Sequence, residues 1–397
     1  MGRTVALVLA AAALVACGAR SELLGGGEGG AGTASASSAA SSSSSSSGAG
    51  GAPCVWAFDG PWVRVPGHAA PWDAAADGDH LVVSFADQGS FLRVLSDDLA
   101  SIGPPIDVGE TGLFALSFGF GRRDVIGGFP DAQGRCASVA LDAADQPTAP
   151  PAAFGGERCF WATPTPGGAL VFSRPDANGF APVDAIALDP GAHVVGSTPG
   201  AIAADPLHLT LPLGRVALDD ASVMVFWIDG GSAFVRRFSP TGSPLFGPKP
   251  IFDEPVGDVV FAGASVGGSA LVAWFHPYHQ GEGPGRLMTA VAAGDGTLGA
   301  PHTLAEASNG DAPEGIDVVR TSDGALVLYG ALGGAPAIVA QPVDGEGAPS
   351  APSLTRTLAG AGALRVVRAV ATSARNVVVL AWDDDQTARV TRLVCGP

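Results

Sequence analysis

The chain has 397 residues, of which 47 % are hydrophobic and 15 % are charged, so it can bury a sizeable core but carries fewer charges than the usual quarter. Its formal net charge is −17 with an isoelectric point near 4.6, and Lys249 is its only lysine. Because phosphate backbones are bound by clustered Lys and Arg, this composition excludes nucleic acid as an expected partner. The 57 Gly and 32 Pro separate short runs of Val, Phe and Trp, a pattern that favours strands over long helices.

The first seventeen residues read MGRTVALVLAAAALVAC, with Arg3 followed by an apolar run over 5–16. A membrane-spanning helix needs about twenty apolar residues, so this shorter run predicts a signal peptide. Its end, Leu14-Val15-Ala16-Cys17, resembles the lipobox of bacterial lipoproteins. The resemblance implies that Cys17 is acylated and becomes the mature N-terminus; the alternative is an ordinary signal peptide with an incidental cysteine. Gly18, rather than Asp, follows the cysteine. The resemblance therefore implies the outer membrane, with the protein facing the periplasm or the outside.

Residues 18–53 are almost entirely Gly, Ala and Ser, with an unbroken serine run over 41–47. Such a segment buries too little apolar surface to offset the entropy of ordering it, and as a random coil it would span roughly 30–35 Å. We therefore predict three parts: a signal peptide (1–16), a lipidated cysteine with a disordered tether (17–53), and one all-β domain (54–397). Membrane attachment is expected through the lipid alone, because anionic lipids would repel this acidic domain.

The domain repeats one unit, an apolar strand that follows a Gly-rich or Asp-rich turn. Seven such runs begin at residues 81, 124, 169, 222, 270, 325 and 376, so successive starts lie 43 to 55 residues apart. A period of about 50 residues with several strands per unit resembles the β-propeller architecture, although no Trp-Asp blade ending, Asp box or kelch pattern occurs. The resemblance implies an all-β fold of seven four-stranded blades, with a count of six or eight left open. Each apolar run would be a second strand, buried on both faces between neighbouring blades.

Two incomplete ends indicate how the ring closes. The seventh unit ends with a third strand over 388–394, whereas residues 55–65 form a strand that precedes the first unit. We predict that this N-terminal strand pairs with the C-terminal one as the outer strand of the last blade. Pro61 fits this placement, because proline is tolerated on an outermost edge.

The same topology predicts how the cysteines pair. With Cys17 taken by lipid, four remain, and an exported protein is expected to oxidise them. In a propeller, third strands end on the face where fourth strands begin, whereas third and inner strands both begin on the other face. This rule predicts the disulfides Cys54–Cys395 and Cys136–Cys159. A chain-entropy relation gives upper estimates of about 5–6 and about 3 kcal/mol for their contributions to stability.

We call the face that carries the second-to-third and blade-to-blade connections the loop face, and the opposite one the turn face. Propeller ligands usually sit on the loop face. Its second-to-third connection over 276–285 looks the longest and chemically richest, whereas the others are short and rich in Asp. The predicted ligand contacts are therefore His276, Tyr278, His279, Glu282, Asp229 and Asp383.

The same residues do not define a metal or catalytic centre. His276, His279 and Glu282 lack a helix or a further defined ligand, and the recurring aspartates suit turn formation. Calcium-loop spacing, a nucleophile elbow and a phosphate loop are all absent from the sequence. We expect no metal, no cofactor and no catalytic residue, and we expect the tryptophans to pack between blades rather than to form a sugar platform.

The sequence thus favours a monomeric, envelope-anchored binding or scaffold module without enzymatic activity, which recognises protein, peptide or glycan through the loop face. The alternative is a secreted propeller hydrolase or lyase that uses acidic residues of that face. A purely structural envelope component is a third possibility. The sequence does not identify the ligand, and it leaves open whether any catalysis occurs.

Overall fold

The computed structural model describes residues 54–66, 70–78, 80–86, 90–109, 114–128, 135–156, 158–175, 182–202, 214–229, 232–252, 261–276, 284–307, 313, 315–332, 335–359, 364–383 and 387–396. The predicted signal peptide, Cys17 and the predicted tether lie outside the described residues. Within the described ranges the chain forms twenty-eight strands and no helix. No apolar helix that could cross a membrane is therefore found in this part of the chain.

The strands form seven four-stranded antiparallel sheets, and each sheet packs against the next around a ring. The protein is a seven-bladed β-propeller. The N-terminal strand is β1 (Val55–Val65), and the others follow in chain order. The inner strands are β2 (Ala70–Asp77), β6 (Phe114–Gly119), β10 (Arg158–Thr165), β14 (Gly214–Ala217), β18 (Phe261–Val266), β22 (Ile316–Thr321) and β26 (Leu364–Ser373).

The remaining strands complete the blades outward from the axis. The second strands are β3 (His80–Ala86), β7 (Arg122–Gly128), β11 (Gly168–Arg174), β15 (Val223–Asp229), β19 (Ser269–His276), β23 (Gly324–Gly330) and β27 (Asn376–Asp383). The third strands are β4 (Ser90–Ser96), β8 (Cys136–Ala140), β12 (Val183–Leu188), β16 (Ser232–Phe238), β20 (Gly285–Ala292), β24 (Ala337–Val343) and β28 (Ala388–Gly396). The outer strands are β5 (Ile106–Asp107), β9 (Ala152–Ala153), β13 (Val194–Ile202), β17 (Lys249–Pro250), β21 (His302–Ala307), β25 (Leu354–Thr357) and, for the seventh blade, β1.

The seven apolar runs are the seven second strands, as predicted, and the packing explains why their sequences do not alternate. In β19, Ala270, Val272 and Trp274 join a cluster with the fourth blade. The intervening residues of β19 join a different cluster, with the sixth blade: Leu271, Ala273 and Phe275. A strand wedged between two sheets needs apolar side chains on both of its faces. Each of the seven hydrophobic clusters in the described residues lies between two neighbouring blades.

The ring closes through the two ends of the domain, which confirms the predicted pairing. Strand β1 runs antiparallel to β28, with Val55 opposite Gly396 and Val65 opposite Ala388. The register shifts between Asp59 and Val63, so Pro61 lies in an irregular stretch of an edge strand. A missing N–H group does no harm to the ladder there.

Both predicted disulfides are present. Cys54–Cys395 joins residues 341 apart in sequence, and Cys136–Cys159 joins residues 23 apart. The first lies where β28 ends and β1 begins, on the turn face. The second links the start of β8 in the second blade to the start of β10 in the third, on the loop face. One bridge therefore closes the ring on one face, and the other joins two blades on the opposite face.

Candidate functional site

Three of the six predicted ligand contacts lie within the described residues. His276 is the last residue of β19, and Asp229 is the last residue of β15; both are half-buried. Since second strands end at the loop face, both side chains start from the predicted surface. Tyr278, His279 and Glu282 belong to the connection between β19 and β20 and lie outside the described residues. So do the turn aspartates 87, 131, 176, 384 and 385.

Asp383 also ends a second strand, but both of its carboxylate oxygens already have partners. Oδ1 accepts a hydrogen bond from the Thr387 backbone N–H at 2.8 Å, and Oδ2 lies 2.6 Å from Arg389 Nε. The carboxylate is buried and spans the turn between β27 and β28. This is the turn-forming use of Asp that the sequence allowed for, so Asp383 contributes to the shape of the loop face through its own turn.

The predicted rank of the second-to-third connections needs a correction. The connection over 277–284, between β19 and β20, is no longer than that over 175–182, between β11 and β12. Two blade-to-blade connections are longer than either: 203–213 and 251–260. The repeat pattern of the sequence does not mark these two connections, because the segments between blades have no repeat of their own. By number of residues, the junctions after blades three and four are thus the longest of these connections.

A buried charge network joins the inner strands near the loop face. Arg368 on β26 lies with its Nε 3.0 Å from Asp73 Oδ1 on β2 and its Nη1 3.4 Å from Asp317 Oδ1 on β22. Each Asp also accepts a hydrogen bond from the backbone of the following blade: Asp73 from the Leu116 N–H, and Asp317 from the Ala369 N–H. Burial raises the pKa of Asp317, and the Arg368 charge opposes that rise. The network links four of the seven inner strands, β22, β26, β2 and β6.

On the turn face, a cavity of about 660 Å³ is lined by the first-to-second turns of blades one to four. Its wall includes Phe120, a partly exposed aromatic residue with a φ of 52°, and Asp219. Asp219 Oδ1 accepts a hydrogen bond from Ser265 Oγ at 3.0 Å and lies 2.7 Å from Arg320 Nη1. Asp219 at this mouth is thus paired within the protein, through a hydroxyl of the fifth blade and a guanidinium of the sixth.

A second group of polar side chains lies at the turn face between blades one and two. Asp77 ends β2, His80 begins β3, and Asp145 belongs to the turn between β8 and β9. His80 Nε2 is 3.2 Å from Asp145 Oδ2 and 3.5 Å from Asp77 Oδ2. Arg123 of the second blade pairs with the same Asp77 oxygen. Among the described residues this is the one set of His, Cys, Asp or Glu whose three potential ligand atoms lie within 4.8 Å of one another.

The conformation of Asp145 is unusual for its position. The turns between third and fourth strands in blades one to six place one residue at positive φ, namely Leu99, Asp145, Ala192, Gly242, Gly296 and Gly347. Three of these six are Gly, the residue that tolerates the left-handed region best. Asp145 instead carries a charged side chain that is only 3 % exposed, and burial raises its pKa while His80 and Arg123 oppose the rise. Its Oδ1 is buried and has no hydrogen-bond partner among the described residues.

His80 and Asp145 lie 65 positions apart, and neither is among the site residues predicted from the sequence. A signal was nevertheless present. When the turns between third and fourth strands are aligned blade by blade, an ionisable residue stands at the left-handed position in one blade alone among those six. The repeat is defined by its apolar strands, so this difference between turns is not part of the pattern that identifies the blades.

Trp161, Trp227 and Trp274 pack between blades, as predicted. Trp227 is fully buried in the cluster between blades three and four, and Trp274 in the cluster between blades four and five. Trp161 packs in the same cluster as Trp227, with the Arg215 guanidinium 5.4 Å from its ring centroid. These indoles contribute apolar area between sheets, and a sugar platform would require them at the surface.

Neither a protein-family model nor a curated protein sequence matches this chain. Among solved structures, it is similar to a chain of the Kuenenia stuttgartiensis hydrazine synthase, with a TM-score of 0.53. The alignment has 12 % sequence identity and covers 78 % of this chain and 92 % of that one. At this level of identity the similarity concerns the fold, because propellers of one shape carry many unrelated functions.

Proposed function

We propose that this protein is a lipid-anchored envelope protein whose propeller binds a protein, peptide or glycan through its loop face, without catalysing a reaction. The observation that carries the proposal is the direction of β1. This strand begins at Val55 on the turn face, opposite Gly396, and ends at Val65 on the loop face, where the chain continues into β2. Any N-terminal tether therefore joins the propeller on the turn face, and the loop face points away from it.

Local contacts support a firm attachment at this point. Cys54 is joined to Cys395, and its backbone N–H donates to Asp323 Oδ2 at 3.1 Å, in the first-to-second turn of the sixth blade. A pull on the tether would thus be shared by β1, β28 and a neighbouring blade. If Cys17 carries lipid, the domain would stand with its turn face toward the membrane. The loop face, with the long connections over 203–213 and 251–260, would then be open to other molecules.

The anchoring part is tested by fractionation. Wild-type protein is expected to incorporate a fatty-acid label and to sediment with outer membranes, whereas the Cys17→Ser variant should carry no label and remain soluble. A Cys54→Ser, Cys395→Ser double variant serves as control, because it removes two cysteines without touching the lipobox and should still be labelled. Equal labelling of the wild type and of Cys17→Ser would contradict lipidation at this residue.

The recognition part is tested with the soluble Cys17→Ser chain on glycan and peptide arrays and by cross-linking to envelope proteins. A ligand found in this way should lose at least tenfold in affinity when His279 and Glu282, two of the contacts predicted from the sequence, are both replaced by Ala. The matched control is Glu346→Ala, an exposed turn-face residue between β24 and β25, which should leave the affinity unchanged. The proposal fails if no ligand is found, or if Glu346→Ala weakens binding while the loop-face double variant does not.

A further inference from the structure

We propose that Asp77, His80 and Asp145 form a binding site for a divalent transition-metal ion between blades one and two. The site is on the turn face and is independent of the proposed recognition surface. Its three residues offer one imidazole nitrogen and two carboxylate oxygens. That is a mixed donor set suited to Zn²⁺ and its neighbours in the first transition row, rather than to Ca²⁺, which takes six to eight oxygens.

The distances agree with this assignment. Two donors that are each about 2.1 Å from a tetrahedral ion lie about 3.4 Å apart. His80 Nε2 is 3.2 Å from the Asp145 oxygen and 3.5 Å from the Asp77 oxygen, and all three donor atoms lie within 4.8 Å of one another. An ion can therefore be reached by all three side chains with small rotations.

The burial of Asp145 is the second argument. A carboxylate in an apolar setting costs free energy unless its oxygens are paired, and Asp145 Oδ1 has no hydrogen-bond partner among the described residues. The carboxylate stands at a left-handed backbone position where three other blades have Gly, and where Asp is held with a φ of 57°. A cation bound at Oδ2, the oxygen that faces His80, would compensate the buried charge, and one held by both oxygens of the carboxylate would also satisfy Oδ1.

The surroundings leave room for an ion to enter. The His80 side chain is 23 % exposed, and a cavity of about 380 Å³ is lined by both His80 and Asp145. Three protein donors leave a fourth tetrahedral position for water, and the cavity offers space for it. Arg123 pairs with the Asp77 oxygen nearest to His80, so metal binding requires Arg123 to move to the other oxygen of that carboxylate.

The test uses the Cys17→Ser chain, freed of metal with a chelator and titrated with ZnCl₂ by calorimetry, with Co²⁺ as a spectroscopic substitute. We expect one Zn²⁺ per chain, a rise in melting temperature that the chelator reverses, and visible Co²⁺ absorption of tetrahedral intensity. His80→Gln and Asp145→Gly should each weaken Zn²⁺ binding at least tenfold. Asp145→Gly suits the positive φ, so it removes the ligand while it favours the backbone conformation. If that variant loses cooperative unfolding, Asp145→Asn replaces it, because Asn keeps the shape and tolerates the left-handed region.

The matched control is His193→Gln. His193 lies in the turn between the third and fourth strands of the third blade, which corresponds to the turn of Asp145 in the second blade. Its Nδ1 is 3.1 Å from Asp189 Oδ2, but among the described residues it is not part of a three-donor group. Its replacement should leave Zn²⁺ binding unchanged. The proposal is overturned if the wild type binds no Zn²⁺ at micromolar concentration. It is equally overturned if binding persists undiminished in the His80 and Asp145 variants, or if it is lost in His193→Gln; the three side chains would then form only an ion pair between blades.

Discussion

Arg368 on the inner strand of the seventh blade donates to Asp73 on the inner strand of the first, with 3.0 Å between Nε and Oδ1. The two residues lie 295 positions apart, and both side chains are less than 10 % exposed. The ring is thus joined at its inner edge by a charge pair, in addition to the strand pairing and the disulfide at its outer edge.

Replacement of Arg368 by Met should destabilise the protein by about 3–5 kcal/mol, because it leaves Asp73 and Asp317 buried without their shared cation. The measurement is guanidinium unfolding followed by tryptophan fluorescence. Arg286→Met is the control: its partner Glu306 and Arg286 itself are about half exposed, so its loss should cost less than about 1 kcal/mol. Similar losses in the two variants would show that the inner network contributes little.

Asp317 predicts a specific pH dependence. Its pKa is raised by burial, so the folded state holds the proton more tightly than the unfolded chain does. The favourable contribution of Asp317 to the free energy of unfolding is complete below its unfolded pKa of 3.8. It is lost as the pH rises through the higher pKa of the folded state. The unfolding free energy of the wild type, minus that of Asp317→Asn, should therefore fall as the pH rises above 3.8. A difference that grows with pH would mean that Arg368 outweighs burial and that the pKa is lowered.

The two disulfides should differ in their effect on stability. The chain-entropy relation gives about 6 kcal/mol for Cys54–Cys395 and about 3 kcal/mol for Cys136–Cys159, because the first closes a far longer loop. The Cys54→Ser, Cys395→Ser pair should therefore lower the unfolding free energy more than the Cys136→Ser, Cys159→Ser pair does. Both double variants are measured by denaturant unfolding in the absence of reductant. The reverse order would show that the paired strands already hold the ends together without a bridge.

Gly168, the first residue of β11, should tolerate no side chain. Its φ is +142°, and a Cβ there would lie 2.0 Å from the Leu188 carbonyl oxygen. Gly168→Ala should cost about 3 kcal/mol or more, since strain and overlap with backbone combine. The adjacent Gly167 is an ideal control, because a Cβ there meets nothing within 4 Å. Gly167→Ala should change the melting temperature by no more than a few degrees, and a comparable drop in both variants would contradict the steric argument.

Much of the fold could be predicted because its main determinant is local. A second strand buried on both faces must be apolar at every position, so Ala270 to Phe275 identify β19 without knowledge of its neighbours. The count of such strands gave the number of blades. The unpaired strands at the two ends predicted that β1 and β28 close the ring. The direction of each strand then predicted which cysteines form the two disulfides.

The relative lengths of the connections were harder to predict. The sequence suggested that the fifth unit, over 276–285, has the longest second-to-third connection, but the strand bounds give it 277–284, which is matched by 175–182 in the third blade. A loop has no hydrophobic period, so its bounds are known only when the flanking strands are placed. The outer strands β5 and β17 have only two residues each, which is too short to show a hydrophobic alternation. The ends of the connections beside them were therefore also hard to predict.

The sequence by itself determined the acidic all-β domain, its seven repeats, its closure and its two bridges, because each depends on strand periodicity or on strand direction. Only the tertiary structure decided which polar side chains meet. Arg368 reaches Asp73 and Asp317, and His80 reaches Asp145, across the boundaries between blades. The distance between such residues depends on how the sheets pack around the axis. Their separation along the chain does not predict this distance.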